Sequence, residues 1–567
     1  MEVSDFVRVL LSKRGITTDG DVASFLSPDY AAHTHSPMLL LGMDIAVERV
    51  LKAIEVGERI AIYADFDCDG IPGAAVLSDF FNKVAYGNFE VYVPHRDREG
   101  YGFHTEAIGE LAARDVKLII TVDVGMTAVN AVAFARGIDV DVIVTDHHPP
   151  SLKLRRAGEI TEQYDLPDAV AILNPKLGAY PFRDMCGAAV AFKLVQATLA
   201  EGKKRNLVAF LEVPVGWEKW LLDLVGIATV ADMVPLVGEN RTLAHFGLSV
   251  LRKSRRPGVV ALCKALRLRQ HELTEDDIGF SIAPRVNAAS RMGEPDTALR
   301  LLTTRDSMEA ERLAAHLEEL NVSRKSAVGV MVRQARKNVA TRFTSEDRVI
   351  VVGNPEWKPA LCGLAANSIL GERSGVVCVW GRDALGRLKG SCRSDGSVSL
   401  IELFGNGRDL FEAAGGHERS GGFSVSHEKV HTLPEMLKLA ADTLTLRERD
   451  PIREPDAHIT LPEISPRLFS EVSRLAPFGI GNPKPVFLVT RSLITSVKRF
   501  GKENNHVELQ LACTESGASA RAFAFFKSPE DFSHVPSVSA NASVLATVER
   551  DSFRGGLALR LIDVLPV

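Results

Sequence analysis

The chain has 567 residues, 46% of them hydrophobic, with 67 basic and 72 acidic residues and a net charge of −5. That length exceeds what one hydrophobic core usually supports and predicts three or four domains, while the mild acidity excludes a polyanion held by overall charge, so any such partner must meet a local basic surface. Seven cysteines at 68, 186, 263, 362, 378, 392 and 513 form no C-x-x-C pair, which argues against zinc knuckles and a disulfide framework and points to a reducing cytoplasm.

Residues 1–40 read as an N-terminal helical cap. The opening Met1-Glu2-Val3-Ser4-Asp5 has no basic region leading into an apolar one, and no uncharged apolar run reaches the ~18 residues of a membrane span, so a soluble protein with no membrane partner is expected. Over 41–303 sheet and helix patterns alternate. Three apolar runs there end in acid or imidazole: Arg59 to Ala64 followed by Asp65-Phe66-Asp67-Cys68-Asp69-Gly70, Val116 to Val122 followed by Asp123, and Asp141 to Thr145 followed by Asp146-His147-His148. Short continuous apolar runs between helical stretches predict buried parallel strands, whose carboxyl ends converge on one crevice in an open α/β sheet. That crevice gathers five carboxylates and two histidines. Such a set needs cations to stay ionised, and oxygen and imidazole donors without thiolates suit Mn²⁺ or Mg²⁺ better than structural zinc.

The D-x-D-x-D-G string also matches the start of a calcium loop, but Ile71-Pro72-Gly73-Ala74-Ala75-Val76-Leu77 opens an apolar helix where further calcium ligands should stand. Alternate residues of an extended segment share a face, so Asp65, Asp67 and Asp69 can point into one site. Cys68 reads as a small buried residue between them. A helical stretch from Glu218 to Val230 then returns Asp232 to the same cleft, just before Pro235. Between Leu251 and Arg269 lie seven cations and no acid (Arg252, Lys253, Arg255, Arg256, Lys264, Arg267, Arg269), either a solvated face or a surface that tracks a phosphate backbone.

Helix formers without proline predict a long linking helix over 304–343. A second α/β unit at 344–445 opens with the strand Val349-Ile350-Val351-Val352 and closes in Gly415-Gly416-His417. From 452 to 567, short alternating runs such as His506 to Leu511 and Ala522 to Phe526 predict a small β-barrel. Its nine phenylalanines come without tryptophan or tyrosine, so most must be core; an exposed Phe500 beside Lys498, Arg499 and Lys502 is the candidate to stack a base.

Taken together these motifs resemble the DHH phosphoesterase family, and within it the RecJ-type single-stranded-DNA-specific exonucleases. The resemblance runs in order through the aspartate loop, Pro94-His95-Arg96 with Gly100-Tyr101-Gly102, Thr121 to Gly125, Asp146-His147-His148, Thr229 to Leu236 with Gly238-Glu239-Asn240-Arg241, Pro284 to Gly293, Gly415-Gly416-His417 and Pro477 to Pro483. It implies an α/β architecture: a parallel-sheet DHH domain, a linking helix, an α/β DHHA1 domain and a C-terminal all-β oligonucleotide-binding (OB) barrel. It further implies two Mn²⁺ or Mg²⁺ ions on Asp67, Asp69, Asp123, His147, His148 and Asp232, with Asp65 and Asp146 as ligands or their partners. Substrate would be held by Arg285, Asn287, Arg291, Arg393, Gly416 and His417, because guanidinium groups and glycine-exposed backbone N–H groups both suit phosphate.

The implied activity is 5′-to-3′ hydrolysis of single-stranded DNA to mononucleotides in recombination and repair, with a single-strand-binding protein or helicase as partners. Two other readings stand beside it. One is a phosphodiesterase of short oligonucleotides or cyclic dinucleotides, which the extra barrel argues against; the other is a catalytically silent single-strand-binding replisome component, which the intact acid and histidine set argues against. The chain departs from the family pattern at Trp357-Lys358-Pro359-Ala360, at Glu418-Arg419-Ser420 and at Ile71-Pro72-Gly73, where hydroxyl-bearing residues are usual.

Overall fold

The computed structural model describes residues 3–154, 160–344, 346–445, 447, 454–501, 504–551 and 554–567. It divides into two compact units, one of Thr34–Val234 with Phe246–Asp450, the other of Met1–His33, Pro235–His245 and Pro451–Val567. Among the described residues no helix is long and apolar enough to cross a membrane.

The larger unit opens with a parallel sheet of β1 (Arg59–Ala64), β2 (Phe89–Tyr92), β3 (Val116–Val122) and β4 (Asp141–Thr145). A short ribbon, β5 (Leu152–Leu154) with β6 (Ile160–Tyr164), precedes the edge strand β7 (Ala171–Leu173), and the sheet order is β2-β1-β3-β4-β7. Ile60 through Ala64 are fully buried, as are Leu118 to Ile120 and Ile143 to Val144. Helices cover both faces of such a sheet, which is why the strands read as continuous apolar runs and not as alternating ones. Because β1, β3 and β4 are neighbours and parallel, their carboxyl ends open on one edge of the sheet.

The helix Gly70–Lys83 starts directly after the aspartate loop, with Pro72 in its first turn, where a missing N–H costs nothing. Gly70 is required there: a Cβ would lie 2.3 Å from the Asp65 carbonyl oxygen, so no other residue lets the loop fold back this tightly. The helix Leu222–Ala231 ends at Asp232. The expected linking helix spans Ser307–Arg342, and its N-terminus is capped by Asp306, whose carboxylate accepts from the N–H groups of Met308 and Glu309. Its first half buries Ala310, Leu313, Ala314 and Leu317 against the helices Pro257–Ala265 and Ala283–Met292. Its second half places Met331, Val332, Ala335 and Val339 in one core with Ile350, Leu361 and Val377. One helix thus contributes a stripe to each of two cores.

The second sheet of this unit contains β8 (Val349–Gly353), β9 (Val376–Arg382), β10 (Leu388–Ser394), β11 (Ala413–Gly416) and β12 (Ser420–Val425), in the order β11-β12-β10-β9-β8. The cysteine spacing argues against a disulfide framework, and among the described residues a single bridge is present. Cys378 and Cys392 face one another across β9 and β10 and are joined by a disulfide; a spacing of fourteen residues conceals a pair that strand register brings together.

The smaller unit is the expected barrel. It contains β13 (Ala457–Ile459), β14 (Phe487–Phe500), β15 (His506–Ala512), β16 (Ser519–Phe525), β17 (Asn541–Arg550) and β18 (Leu557–Leu565), and pairing of β14 with β17 closes β14-β15-β16-β18-β17 on itself. Val7, Leu10, Leu11 and Val22 of the N-terminal helices Asp5–Ser12 and Asp19–Leu26 are buried in the same core as Phe487, Val489, Leu509 and Ala522. The first segment is therefore part of this unit's core. Arg241 lies 3.6 Å over the Phe25 ring and donates to the carbonyls of Phe25, Leu475, Ala476 and Pro477, while buried Asn482 donates to those of Leu475 and Pro477. Two of the motifs read in the sequence thus serve to pin one turn.

Candidate metal centre and anion pocket

Every acid that ends an apolar run arrives at the shared edge of the parallel sheet. After β1 the Asp65 N–H donates to the Val122 carbonyl, continuing the pairing with β3 for one residue. Asp67 folds its carboxylate back to accept from the N–H groups of Asp69 (2.8 Å) and Gly70 (3.1 Å). Asp69 accepts from Gly187 (2.6 Å) and Ala188 (2.7 Å), the first two residues of the helix Gly187–Lys204, an end whose free N–H groups favour an anion. Asp123 follows β3 with a φ of 61°, a left-handed conformation that is rare outside glycine and is found where surrounding structure enforces it. Its N–H is held by the Thr145 carbonyl.

After β4, Asp146 takes four hydrogen bonds: from the N–H groups of Met126, His147 and His148 and from His148 Nδ1 at 2.8 Å. His147 Nε2 lies 3.2 Å from Asp123, 3.6 Å from Asp232 and 3.8 Å from Asp69. Three groups of donor atoms lie within 4.8 Å of one another: Asp123, His147 and His148; Asp69, His147 and Asp232; Asp65, Asp67 and Asp123. All the sequence-derived ligand candidates are thus gathered in one cleft, except that Asp146 stands outside the three groups, its Oδ1 taken by the histidines and its Oδ2 by the Met126 N–H. Cys68 is buried, and its thiol is pushed well up by burial and then by Asp67 and Asp69, so it stays protonated and unreactive.

Asp65 Oδ1, Asp123 Oδ1 and Asp232 Oδ2 are buried without a hydrogen-bond partner. Burial, followed by repulsion from Asp67, holds Asp65 well above the carboxylate range and lifts Asp69 to about 7. Asp123 is held well above that range by burial and then by Asp69, and Asp232 is lifted to about 9 by the same two causes. Burial and the adjacent His148 push His147 down to about 3, leaving a neutral imidazole with a free lone pair. Burial works against the charged form of His148, but its bond to Asp146 outweighs that and raises it. Acids lifted by one another, orphaned oxygens and a neutral imidazole are the donor set of a divalent-cation site, in which the cation supplies the missing counter-charge.

Three partly buried guanidinium groups act electrostatically on one another and on this cleft: Arg96 on Arg291 and Arg393, and Arg96 and Arg291 with Asp67. Arg96, in the loop after β2, is partly buried with its charge 4.5 Å over the Phe66 ring. Arg291 donates to the Ala360 carbonyl (2.6 Å) and is pushed down to about 9 by burial and then by Arg96, Arg324 and Arg393. Arg393 is lowered by burial and by Arg96, and its guanidinium lies where a Cβ on Gly363 would stand. Partly buried cations that repel one another favour an anion between them, as the neighbouring carboxylates favour a cation. Of the residues assigned to substrate, Arg291 and Arg393 belong to this set.

Arg285 does not: it is tied to Glu318 at 2.7 Å and to the Ser281 carbonyl. Asn287 accepts from the Cys68 N–H and braces the aspartate loop. Gly416 and His417 form the turn between β11 and β12, closed by the His417 N–H on the Ser420 carbonyl, and His417 is exposed and in none of the three donor groups. Arg96 received no role from the sequence, and neither did Tyr101, whose hydroxyl lies 3.3 Å from both the Asp123 carbonyl and His148 Nδ1. The available signal was their place after β2, a fourth parallel strand opening on the same edge.

Two of the seven cations in the basic stretch, Arg252 and Arg256, are tied into the fold, and the other five are exposed. Arg256 is buried between Asp79 (2.8 Å) and Asp223 (3.1 Å), Arg252 holds the Leu273 carbonyl, and Lys264 and Arg269 pair with Glu311 and Glu272. In the barrel unit Phe500 packs 5.0 Å from His506 and 5.9 Å from Phe525, and among the unit's described phenylalanines Phe526 is the exposed one; Lys502 lies outside the described residues.

Comparison with known proteins agrees with this geometry. A family described as "DHH family, N-terminal domain" matches residues 59–229, and one described as "RecJ OB domain" matches 455–562. The chain is 34% identical over 515 residues to the single-stranded-DNA-specific exonuclease RecJ of Bacillus subtilis, covering 90% of this chain and 62% of that protein, so it spans less than two thirds of that relative. It is 31% identical over 464 residues to the protein of the same name from Salmonella typhimurium, covering 79% and 78%. The crystal structure of RecJ from Thermus thermophilus in complex with Mn²⁺ superposes with a TM-score of 0.79 at 26% identity, covering 100% of this chain and 76% of that one, and the same protein has been solved with Mg²⁺. This chain belongs to the RecJ family of DHH-domain proteins.

Proposed function

We propose that the protein is a metal-dependent exonuclease that hydrolyses the phosphodiester bonds of single-stranded DNA from the 5′ end and releases mononucleotides, in recombination and repair. The observation that carries this reading is the gathering of three orphaned carboxylate oxygens and three groups of metal-donor atoms in one cleft. Similarity to single-stranded-DNA-specific exonucleases supports the substrate, and the Mn²⁺ and Mg²⁺ held by the Thermus protein support the cofactor.

Asp67, Asp69, Asp123, His147, His148 and Asp232 would hold two divalent cations, with Asp65 in reach through its orphaned oxygen. Bound there, the cations supply a water of lowered pKa and neutralise charge that builds on the scissile phosphate during in-line displacement. The protein's own groups do the rest. Asp146 fixes the His148 ring by accepting from Nδ1, and the helix end at Gly187 orients Asp69 and offsets part of the rise that burial imposes on it. Arg96, Arg291 and Arg393 take the phosphate. A terminal monophosphate carries more charge than a diester and satisfies three guanidinium groups better, which gives the 5′ end its place and the next phosphodiester its position at the acids.

The division of labour follows the sequence boundaries: 41–303 for catalysis, 304–343 as linker, 344–445 to hold substrate and 452–567 to bind the strand. A cytoplasmic location and a single-strand-binding protein or helicase as partner complete the proposal.

The test is single-stranded DNA labelled at either end, incubated with Mn²⁺ or Mg²⁺. Release of labelled mononucleotide from the 5′ end at the earliest times, abolished by EDTA and by Asp67→Ala, is the expected result. Binding without cleavage, or cleavage of very short oligomers alone, would overturn it.

A further inference from the structure

We propose that Asn174 and Lys176, just beyond the edge strand β7, are positioning residues that hold the His147–His148 pair in ligand geometry; the inference rests on the cation-site reading above. β7 pairs in parallel with β4, Thr145 against Leu173, so the residues after the two strands lie side by side. The last rung between them is the bond from the Asp146 N–H to the Leu173 carbonyl at 3.1 Å. Past that rung the ladder stops and the carbonyls of His147 and His148 must find other donors.

Asn174 and Lys176 supply them. Asn174 is fully buried, and its Nδ2 donates to the His148 carbonyl at 2.9 Å. Its Oδ1 accepts from the Lys176 N–H at 2.9 Å, which turns the chain so that Lys176 Nζ reaches the His147 carbonyl at 2.5 Å. From the other side Asp146 accepts the N–H groups of both histidines, at 2.7 and 3.1 Å. Both peptide groups of the pair are thereby clamped, donors by Asp146 and acceptors by Asn174 and Lys176. A metal site tolerates ligand errors of about 0.2 Å, so backbone anchors of this kind bear directly on affinity.

The two residues can be separated by charge. Loss of the Lys176 ammonium removes a positive charge beside the acids, which alone would tighten cation binding. Asn174 is neutral, and its loss removes the clamp alone. The experiment uses the full chain as wild type, Asn174→Ala and Lys176→Met, measuring Mn²⁺ binding by calorimetry, kcat and KM on single-stranded DNA, and the melting temperature in EDTA.

Asn174→Ala is expected to weaken Mn²⁺ binding about 10–100-fold and to lower kcat while leaving KM for the strand unchanged; Lys176→Met is expected to weaken Mn²⁺ as well. If both variants bind Mn²⁺ as wild type does, or if Asn174→Ala is unaffected and Lys176→Met binds more tightly, the clamp is overturned. Should Asn174→Ala fail to fold, the half-buried Lys176→Met carries the test, with weaker Mn²⁺ supporting the clamp and equal or tighter Mn²⁺ overturning it. Failure of wild type to bind Mn²⁺ would instead sink the cation-site reading beneath it.

Discussion

Asp146 spends all its hydrogen-bonding capacity on Met126, His147 and His148, and burial, which alone would raise it, is outweighed by the bond to His148, so it stays ionised. Asp146→Asn keeps the shape but leaves one acceptor oxygen in place of two, so an NH2 group must face either the Met126 N–H or the three donors of His147 and His148. It should lower kcat about 10–100-fold with the melting temperature little changed, and full activity in the variant would show that His148 needs no such support. Arg291 is lowered by burial and by Arg96, Arg324 and Arg393, so an anion bound beside it would relieve that repulsion. Losing one charge-assisted hydrogen bond costs about 1.5–3 kcal/mol, so Arg291→Met should weaken binding of 5′-phosphorylated strands far more than of 5′-hydroxyl strands; an equal loss on both would remove the terminal phosphate from the pocket. The acids and histidines were legible in the sequence because each follows an apolar run. Arg96 was not, because the β2 run Phe89-Glu90-Val91-Tyr92 is short and half-buried, so its end did not announce a fourth contributor to the edge.

At the scale of elements, the parallel strands and the helix Ser307–Arg342 were readable from period and composition, since burial on both faces and helix-forming stretches leave direct marks. The role of the Leu251–Arg269 segment was not readable, because a run of cations looks the same whether it faces solvent or buried acids. Arg256 is decided by Asp79 and Asp223, residues 177 and 33 positions away in sequence and invisible to any local pattern. Arg256→Met should therefore cost about 3–5 kcal/mol in unfolding free energy, as expected when one partner of a buried ion pair is removed, with single-strand affinity of the folded variant unchanged. A drop in affinity without loss of stability would return this stretch to the strand path. The Cys378–Cys392 bridge belongs to the same class of feature, set by the register of β9 against β10.

At the scale of the molecule, the metal-free protein carries acids that fold into unfavourable company. A carboxyl group whose folded value is raised contributes stability that is complete below its ordinary value and is lost as pH rises through the folded one. For Asp69 and Asp232 those folded values are about 7 and about 9. The melting temperature in EDTA should accordingly fall from mildly acidic pH toward pH 9, and the increment given by Mn²⁺ should grow over the same range as the ion displaces protons from these acids. A melting temperature in EDTA that is flat with pH, with a constant Mn²⁺ increment, would contradict the electrostatics of the cleft.

The central claim is that one cleft, assembled from four separate stretches of chain, holds two divalent cations beside a phosphate pocket. Anomalous diffraction from crystals of the full chain soaked in Mn²⁺ tests it most directly. Two peaks are expected, each within bonding distance of members of the three donor groups around Asp123 and His147; a single peak elsewhere, or none, would rule out the two-cation cleft.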